Sequence, residues 1–598
     1  MLFIQLSPKY LFASGLFLLA TFTFSIRAQA ATYYVSTSGT DSNPGAESSP
    51  WRTINKAGNT MQPGDTVLVR GGIYNEAVRA KAGTVNARIT YKNYPGETPV
   101  IEGGGAVSGN LFSPADYITI EGFEIRNGIK SARYDGSGID GGGSMGVWFI
   151  NNHIHHNAMH GIGTGGSNPN LPRNLRHDAI IRGNNIHDNT VGGIFVYECS
   201  FGGYYLIENN IVYNNAGVDN YDAIGVGGGD VFNGFGCGAH HVVVRNNTVY
   251  NNNLSGDADG IDLGGRNSDA GYYLVENNTI YGKNGGTKFS GLGTSNAIMR
   301  YNNMTTEGQL TFYSPPYNNT TIFNNTMVNE NNHNVLFGDS SNTSFGITFI
   351  NNLFIDSQNY VLHGAFGSVN RGSINMEGNM YKFGPKGILW DQVYSNLASF
   401  KSTGQEPKGK EIGSASGLFV NSSGRDYRLA SGSPAIDAGN QLTATRSSGN
   451  GTVVPVVRSG FFQDGYDGMI EADAIKVGSN APVKIKSIDY SSHNITLVSA
   501  ISWNAGDGVS LPYAGSAPDM GAFESGFTNP NPSPTPTPVP TPGTLRGDLN
   551  NDRIVNSLDW SIMNSRWFMN DVTADLNTDG IVNSLDFSIM NGNWLKQI

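Results

Sequence analysis

Short apolar stretches alternate with polar residues along residues 117–382, and each run ends on a repeated asparagine phrase. Its forms include Phe149-Ile-Asn-Asn152, Ile207-Glu-Asn-Asn210, Val244-Arg-Asn-Asn247, Val275-Glu-Asn-Asn278, Phe323-Asn-Asn325 and Ile350-Asn-Asn352. Aligning the copies gives one asparagine per unit: Asn152, Asn184, Asn210, Asn247, Asn278, Asn302, Asn325, Asn352 and Asn379, in steps of 23 to 37 residues. Repeats of this length built from period-two strands predict a solenoid of β coils, each burying its apolar face on its neighbours. Asparagines recurring at one turn can stack, each amide bonding the next coil, and the side chain tolerates left-handed backbone. Three residues after each ladder position come His155, His187, Tyr213, Tyr250, Tyr281, Thr305 and Val328, a second stacked file. His153, His155, His156 and His160 look like a metal cluster on paper, yet His155, like His187, simply continues the tyrosine file, a position that needs no metal.

The two cysteines fit the same register. Cys199 lies 11 residues before Asn210 and Cys237 lies 10 before Asn247. Adjacent coils are about 4.8 Å apart, so the pair is expected to meet as a disulfide or as two buried thiols. Two cysteines cannot staple a chain of 598 residues, so packing must hold it.

Composition narrows the class. With 79 glycines, abundant Asn and Ser, and few helical patterns, the body reads as all-β and turn-rich. A net charge of −11 with 14% charged residues argues against nucleic-acid binding. Residues 1–30 read as a signal peptide: Lys9, an apolar run from Tyr10 to Ile26, and Ala28-Gln-Ala30 as the cleavage site. The mature protein is therefore expected to be secreted without a membrane span, in solution or held at the cell surface. The body is expected over 31–527, with 31–115 as N-terminal cap and first coils. A small β unit is expected at 455–513, where Val483-Lys-Ile-Lys-Ser-Ile488 and Ile495-Thr-Leu-Val498 alternate. Residues 528–543 form a Pro/Thr linker, extended at about 3.1 Å per residue, and 544–598 form a separate C-terminal module.

That module repeats one loop twice, 27 residues apart. Asp548, Asn550, Asp552, Asn556 and Asp559 recur as Asp575, Asn577, Asp579, Asn583 and Asp586. They occupy loop positions 1, 3, 5, 9 and 12, and with a backbone carbonyl at 7 such a loop can wrap one Ca²⁺ in oxygen ligands. Each loop runs into a short apolar helix, Trp560-Ser-Ile-Met563 or Phe587-Ser-Ile-Met590. The duplicated unit resembles a type I dockerin. The resemblance implies two bound calcium ions, a cohesin module as partner, and cargo that acts on polysaccharide. Arg553 stands where Gly580 makes the sharp turn of the second loop, so the first loop should bind calcium more weakly.

Acidic residues bunch in two successive coils as Asp222-Ala-Ile-Gly225 and Asp257-Ala-Asp259-Gly-Ile-Asp262. Asp222 and Asp259 each fall 12 residues after their ladder asparagine, so they should be stacked neighbours. In Ile261-Asp262-Leu263 the apolar pair should face inward and Asp262 outward, with Lys288 of Gly286-Thr-Lys288-Phe-Ser-Gly291 in the outward slot above it. Unpaired, those carboxylates would repel one another, and one bound Ca²⁺ would relieve this.

Thr32-Tyr-Tyr-Val-Ser-Thr-Ser-Gly-Thr-Asp41, Pro50-Trp-Arg-Thr-Ile54 and Gly64-Asp-Thr-Val-Leu-Val-Arg70 resemble the entry cap of right-handed parallel β-helix polysaccharide lyases. Gly432-Ser-Pro-Ala-Ile-Asp437 and Pro518-Asp-Met-Gly-Ala-Phe-Glu524 resemble the closing phrases of such folds. The Asp222 and Asp259–Asp262 motifs are similar to the calcium motifs of family 9 pectate lyases, in which a lysine on a later coil takes the proton. The sequence departs from that family where Ala258 precedes Asp259, leaving Asp257 to compensate, and in the polar context of Lys288. The resemblance implies a calcium-dependent lyase that cleaves an acidic, uronic-acid polysaccharide by β-elimination. Asp222, Asp257, Asp259 and Asp262 would be the metal ligands and Lys288 the base. Arg266 and Arg300 are candidate partners for substrate carboxylates, since guanidinium binds them bidentately. The alternatives are a glycoside hydrolase on the same scaffold and a non-catalytic carbohydrate-binding or surface solenoid.

Overall fold

The computed structural model describes residues 30–526 apart from 105–106, 108, 131–134, 166–177, 197–202, 216–220, 228–240, 253–258, 265–270, 283–285, 291–295, 307–308, 314–316, 330–331, 339–344 and 365–370. In the C-terminal module it describes 547, 549, 555, 557–567, 569, 571, 573–576, 582–591 and 593.

Three 13-stranded sheets wind along one axis, and the chain visits them in turn. One coil runs through Tyr204–Glu208 in the first sheet, Ile211–Tyr213 in the second and Ile224–Val226 in the third. The next runs through His241–Arg245, Thr248–Tyr250 and Ile261–Gly264, each pairing in parallel with the strand before it. This is the expected right-handed β-helix. Inward side chains such as Ile224, Val226, Ile261, Leu263 and Phe289 fill one continuous core.

The doubled asparagine divides its labour. Asn209, Asn246 and Asn277 take left-handed backbone, with φ of 57°, 56° and 55°, and turn the chain between first and second sheets. Asn210, Asn247 and Asn278 follow and point inward, fully buried. Asn210 donates its backbone N–H and Nδ2 to Asn247 Oδ1, both at 3.0 Å, and Asn247 does the same to Asn278. The ladder continues to Asn379, which hands on to Glu406. A second ladder, Asn157, Asn189, Asn215 and Asn252, runs five residues later at the next turn.

The aromatic file also stacks. Ring centroids of His155–His187, His187–Tyr213, Tyr213–Tyr250 and Tyr250–Tyr281 are 5.0, 4.6, 4.9 and 5.0 Å apart. Thr305 and Val328 continue its register. Cys199 and Cys237 lie outside the described residues.

The inserted unit is larger than 455–513. Its six-stranded antiparallel sheet begins at Thr443–Ala444, includes Gly449–Pro455 and ends at Gly508–Ser510. Its two ends meet: Gly439 N–H donates to Pro518 O at 2.7 Å, and Asp437 N–H donates to Asp519 Oδ1 at 2.7 Å. These bonds join the two closing phrases. The unit packs on the outer face of the first sheet, where Leu206, Val243, Leu274 and Ile298 share a buried cluster with Val454, Phe461, Phe462 and Ile475. Strands covered on both faces read as near-continuous apolar runs, as in Tyr204–Glu208 and His241–Arg245.

The C-terminal module has two helices, Ser557–Ser565 and Ser584–Asn591. Val555, Met563, Ala574, Val582 and Met590 form its core. Asp559 and Asp586, the last residues of the two loops, are fully buried, and Asp575 nearly so. Asp559 Oδ1 accepts the Leu549 N–H at 2.7 Å, and Asp586 Oδ2 accepts that of Asn583 at 2.8 Å. Asp548, Asn550, Asp552, Asn556, Asn577 and Asp579 lie outside the described residues. Among the described residues no helix is long and apolar enough to cross a membrane.

Candidate functional site

The outward face of the third sheet carries a file in strict register: Phe195, Gly225, Asp262, Lys288, Thr311 and Leu336. Period-two alternation fixes this, because Ile261 and Leu263 are in the core and force Asp262 out. Lys288 is its Cα partner one coil on, and Lys288 Nζ lies 3.5 Å from Asp262 Oδ2. Ser290 Oγ donates to Asp262 Oδ1 at 3.2 Å. Both charged residues are only 6% exposed.

Asp222 and Asp259 sit on the turn that enters this sheet. Asp222 Oδ1 accepts the Asp259 N–H at 2.8 Å, and the Ala223 N–H donates back to Asp259 O at 3.0 Å. Two neighbouring coils are thereby locked at the acidic cluster. Gly225 opens the slot beside Asp262, since a Cβ there would meet Phe195 Cδ2 at 2.8 Å and Asp222 Oδ2 at 3.1 Å. Burial first, then the nearby Asp262 and Asp259 carboxylates, push the Asp222 carboxyl well above its usual range, while Lys288 acts the other way.

An aromatic box supports Asp222. Phe195 stacks on His160 at 5.1 Å, and Tyr221 meets both rings edge-on at 4.8 and 5.0 Å. His160 is fully buried, which drives its imidazole down to about 3. Thus His160 does not join His153, His155 and His156, which gather with His187 along the second sheet. Sequence reasoning missed Phe195, Ser290 and Tyr313 on this wall. Their signal was present in the register, since Ser290 and Tyr313 each follow a file position by two residues.

Arg300 requires a correction. It lies in the first sheet and is 4% exposed, with Nη1 and Nη2 on the Asp473 carboxylate at 2.8 and 2.7 Å and Nε on Glu276 at 2.9 Å. Its fork holds the inserted unit and is not open to substrate. Arg266 and Asp257 lie outside the described residues.

The donor chemistry here suits calcium, which takes carboxylate oxygens. The Asp222 carboxyl is raised by burial first and then by the Asp262 and Asp259 carboxylates, and a divalent cation would relieve that second, repulsive part. The described geometry does not close a coordination shell, however. Among the described residues no group of three or more His, Cys, Asp or Glu is arranged to hold a metal ion.

The repeats, ladders and sheet order define a right-handed parallel β-helix carrying a duplicated loop-helix module. Residues 33–334 match the family described as "Pel9A-like, right handed beta helix region", and residues 546–593 match the dockerin type I domain. The chain belongs to the Pel9A-like β-helix family and carries a type I dockerin. A type I dockerin typically binds calcium, and it implies a cohesin partner and an extracellular cellulosome-type complex. One stretch of 82 residues is 37% identical to the uncharacterized protein YwoF of Bacillus subtilis (strain 168), covering 14% of this chain and 18% of that protein. The chain thus matches less than a fifth of that relative's length. Among solved structures, the XylC complex with xylose is 15% identical, covering 80% of this chain and 99% of that one, at a TM-score of 0.45. Pectate lyase Pel9A is 15% identical, covering 83% and 97%, at 0.40. A GH136 lacto-N-biosidase from Eubacterium ramulus is 15% identical, covering 60% and 67%, at 0.35.

Proposed function

We propose that this protein is a calcium-dependent polysaccharide lyase that cleaves a pectate-like uronan by β-elimination while a cohesin holds its dockerin. The observation that carries this reading is Lys288 Nζ at 3.5 Å from Asp262 Oδ2, on the wall shared with Asp222 and Asp259. Lys288, in its neutral form, takes the C5 proton of a uronate. The electron pair forms the C4–C5 double bond, and the C4–O bond to the leaving sugar breaks. Asp222, Asp257, Asp259 and Asp262 would hold calcium, which when bound neutralises the uronate carboxylate and makes the adjacent C5 proton more acidic. Arg266 remains a candidate carboxylate partner.

The raised Asp222 carboxyl beside Asp262 also favours a second reading, an acid/base pair of a glycoside hydrolase. One assay separates the two. The full chain is incubated with polygalacturonate and other uronans, with calcium and with chelator. A lyase gives the ultraviolet band of an unsaturated uronate and loses it with chelator. Reducing ends without the band would overturn the lyase reading in favour of hydrolysis, and neither product would leave a binding solenoid.

A further inference from the structure

Tyr313 lies on the Lys288 wall in a setting built around its ring. Strand Leu310–Tyr313 pairs with Thr287–Ser290, setting Thr311 against Lys288 and Tyr313 against the small Ser290. The ring reaches over Gly338 on the following coil, where a Cβ would fall 2.3 Å from Tyr313 Cε2 and 2.9 Å from Cζ. Any side chain at 338 would displace the ring. Gly338 is itself fixed by its N–H bond to Phe312 O at 2.9 Å. The backbone is also pinned from inside, because the buried Tyr317 hydroxyl is shared between the carbonyls of Phe289, at 2.6 Å, and Tyr313. Lys288 Nζ lies 5.4 Å from the Tyr313 centroid. Tyr313 remains 37% exposed. Trp148 is similarly exposed at 38%, and Arg88 lies over its face at 3.7 Å, closer than Lys288 Nζ lies over the Tyr313 ring at 5.4 Å.

We propose that Tyr313 is a stacking platform for the pyranose next to the reacting uronate, and so a positioning residue for a polysaccharide chain. The inference rests on the lyase reading above. A pyranose presents an apolar face of C–H groups, which an aromatic ring receives without dehydrating the sugar hydroxyls at its rim. Successive coils are about 4.8 Å apart, close to the advance of one sugar in an extended chain. A platform one coil from Lys288 therefore receives the neighbouring sugar while Lys288 meets the reacting one.

The test compares full-length native, Tyr313→Ala and Tyr313→Phe chains of matched melting temperature, on whichever uronan gives the ultraviolet band. Tyr313→Ala should raise KM about tenfold while kcat stays within about twofold, and Tyr313→Phe should match the native chain. An unchanged KM in Tyr313→Ala, or equal impairment in Tyr313→Phe, overturns the platform. If the native chain eliminates no uronan, the lyase reading fails separately and the platform is read by electrophoresis in gels containing polygalacturonate. Loss of retardation in Tyr313→Ala supports it. Equal retardation, or a native chain that the gel does not retard, overturns it.

Discussion

Lys288 and Asp262 are Cα partners on adjacent coils, with Nζ 3.5 Å from Oδ2, at a surface where each is 6% exposed. Burial of an ion pair leaves its net contribution to stability small, so its value is better sought in reactivity. Lys288→Ala is expected to lower kcat for elimination by about 10²–10⁴-fold. Lys288→Arg should fail to restore it, because guanidinium stays protonated. Initial rates of ultraviolet absorbance on a uronan measure both. Undiminished elimination by Lys288→Ala would remove the base assignment.

Arg300 and Asp473 join the solenoid to the inserted unit through a bidentate pair in which both partners are nearly fully buried. Arg300→Met removes the cation from buried Asp473, which keeps only its bonds from Gln463, and leaves Glu276 with Arg245 at 3.7 Å, and it is expected to cost up to about 3–5 kcal/mol. The double variant Arg300→Met/Asp473→Leu should recover part of that loss. Urea midpoints of the two variants and the native chain check the order. A double variant no more stable than the single would show that the pair is not the main connection.

Much of this fold was legible because a solenoid repeats its rules. The step between asparagines set the coil, and Asp262 and Lys288 fell into register by counting residues from Ile261 and Thr287. Arg300 was misplaced for a physical reason. Its partner Asp473 is 173 residues away, inside a unit whose docking no local pattern encodes. The apolar outer face of Leu206, Val243, Leu274 and Ile298 did carry a hint that something covers the first sheet. The left-handed turns were assigned to the ladder asparagines, whereas Asn209, Asn246 and Asn277 make them. Both residues of the pair are asparagine, so their spacing could not distinguish the two roles.

The asparagine ladder should be intolerant of shortening at mid-solenoid. Asn247 Oδ1 accepts two bonds from Asn210, and its Nδ2 donates to Ile207 O at 2.9 Å and Asn278 Oδ1 at 3.0 Å. Asn247→Ala takes the acceptor from the buried Asn210 N–H, while Asn210 Nδ2 keeps Ile181 O and Asn278 Oδ1 keeps the backbone N–H of residue 247, and it is expected to cost about 1–3 kcal/mol. Asn247→Asp keeps the acceptor oxygens and loses the donors, so it should be impaired in part at neutral pH. Chemical denaturation should rank native above Asp above Ala, and an Ala variant with the native midpoint would contradict the ladder's role.

His160 makes stability depend on acid. Its imidazole, buried against Phe195 and Tyr221, falls to about 3 from the ordinary 6.5, with burial as the cause. The unfolded chain therefore binds a proton between these values that the folded chain does not. Stability is fully present above 6.5 and is lost as pH falls toward 3, by up to about 1.4 kcal/mol per pH unit for this group. His153 and His333, both lowered to about 4, add to the same slope. His160→Phe keeps a ring against Phe195 and removes the titration. Melting temperatures between pH 7 and pH 4 should fall less steeply in that variant than in the native chain. Parallel slopes would mean that His160 takes up a proton without leaving its place between the two aromatic rings.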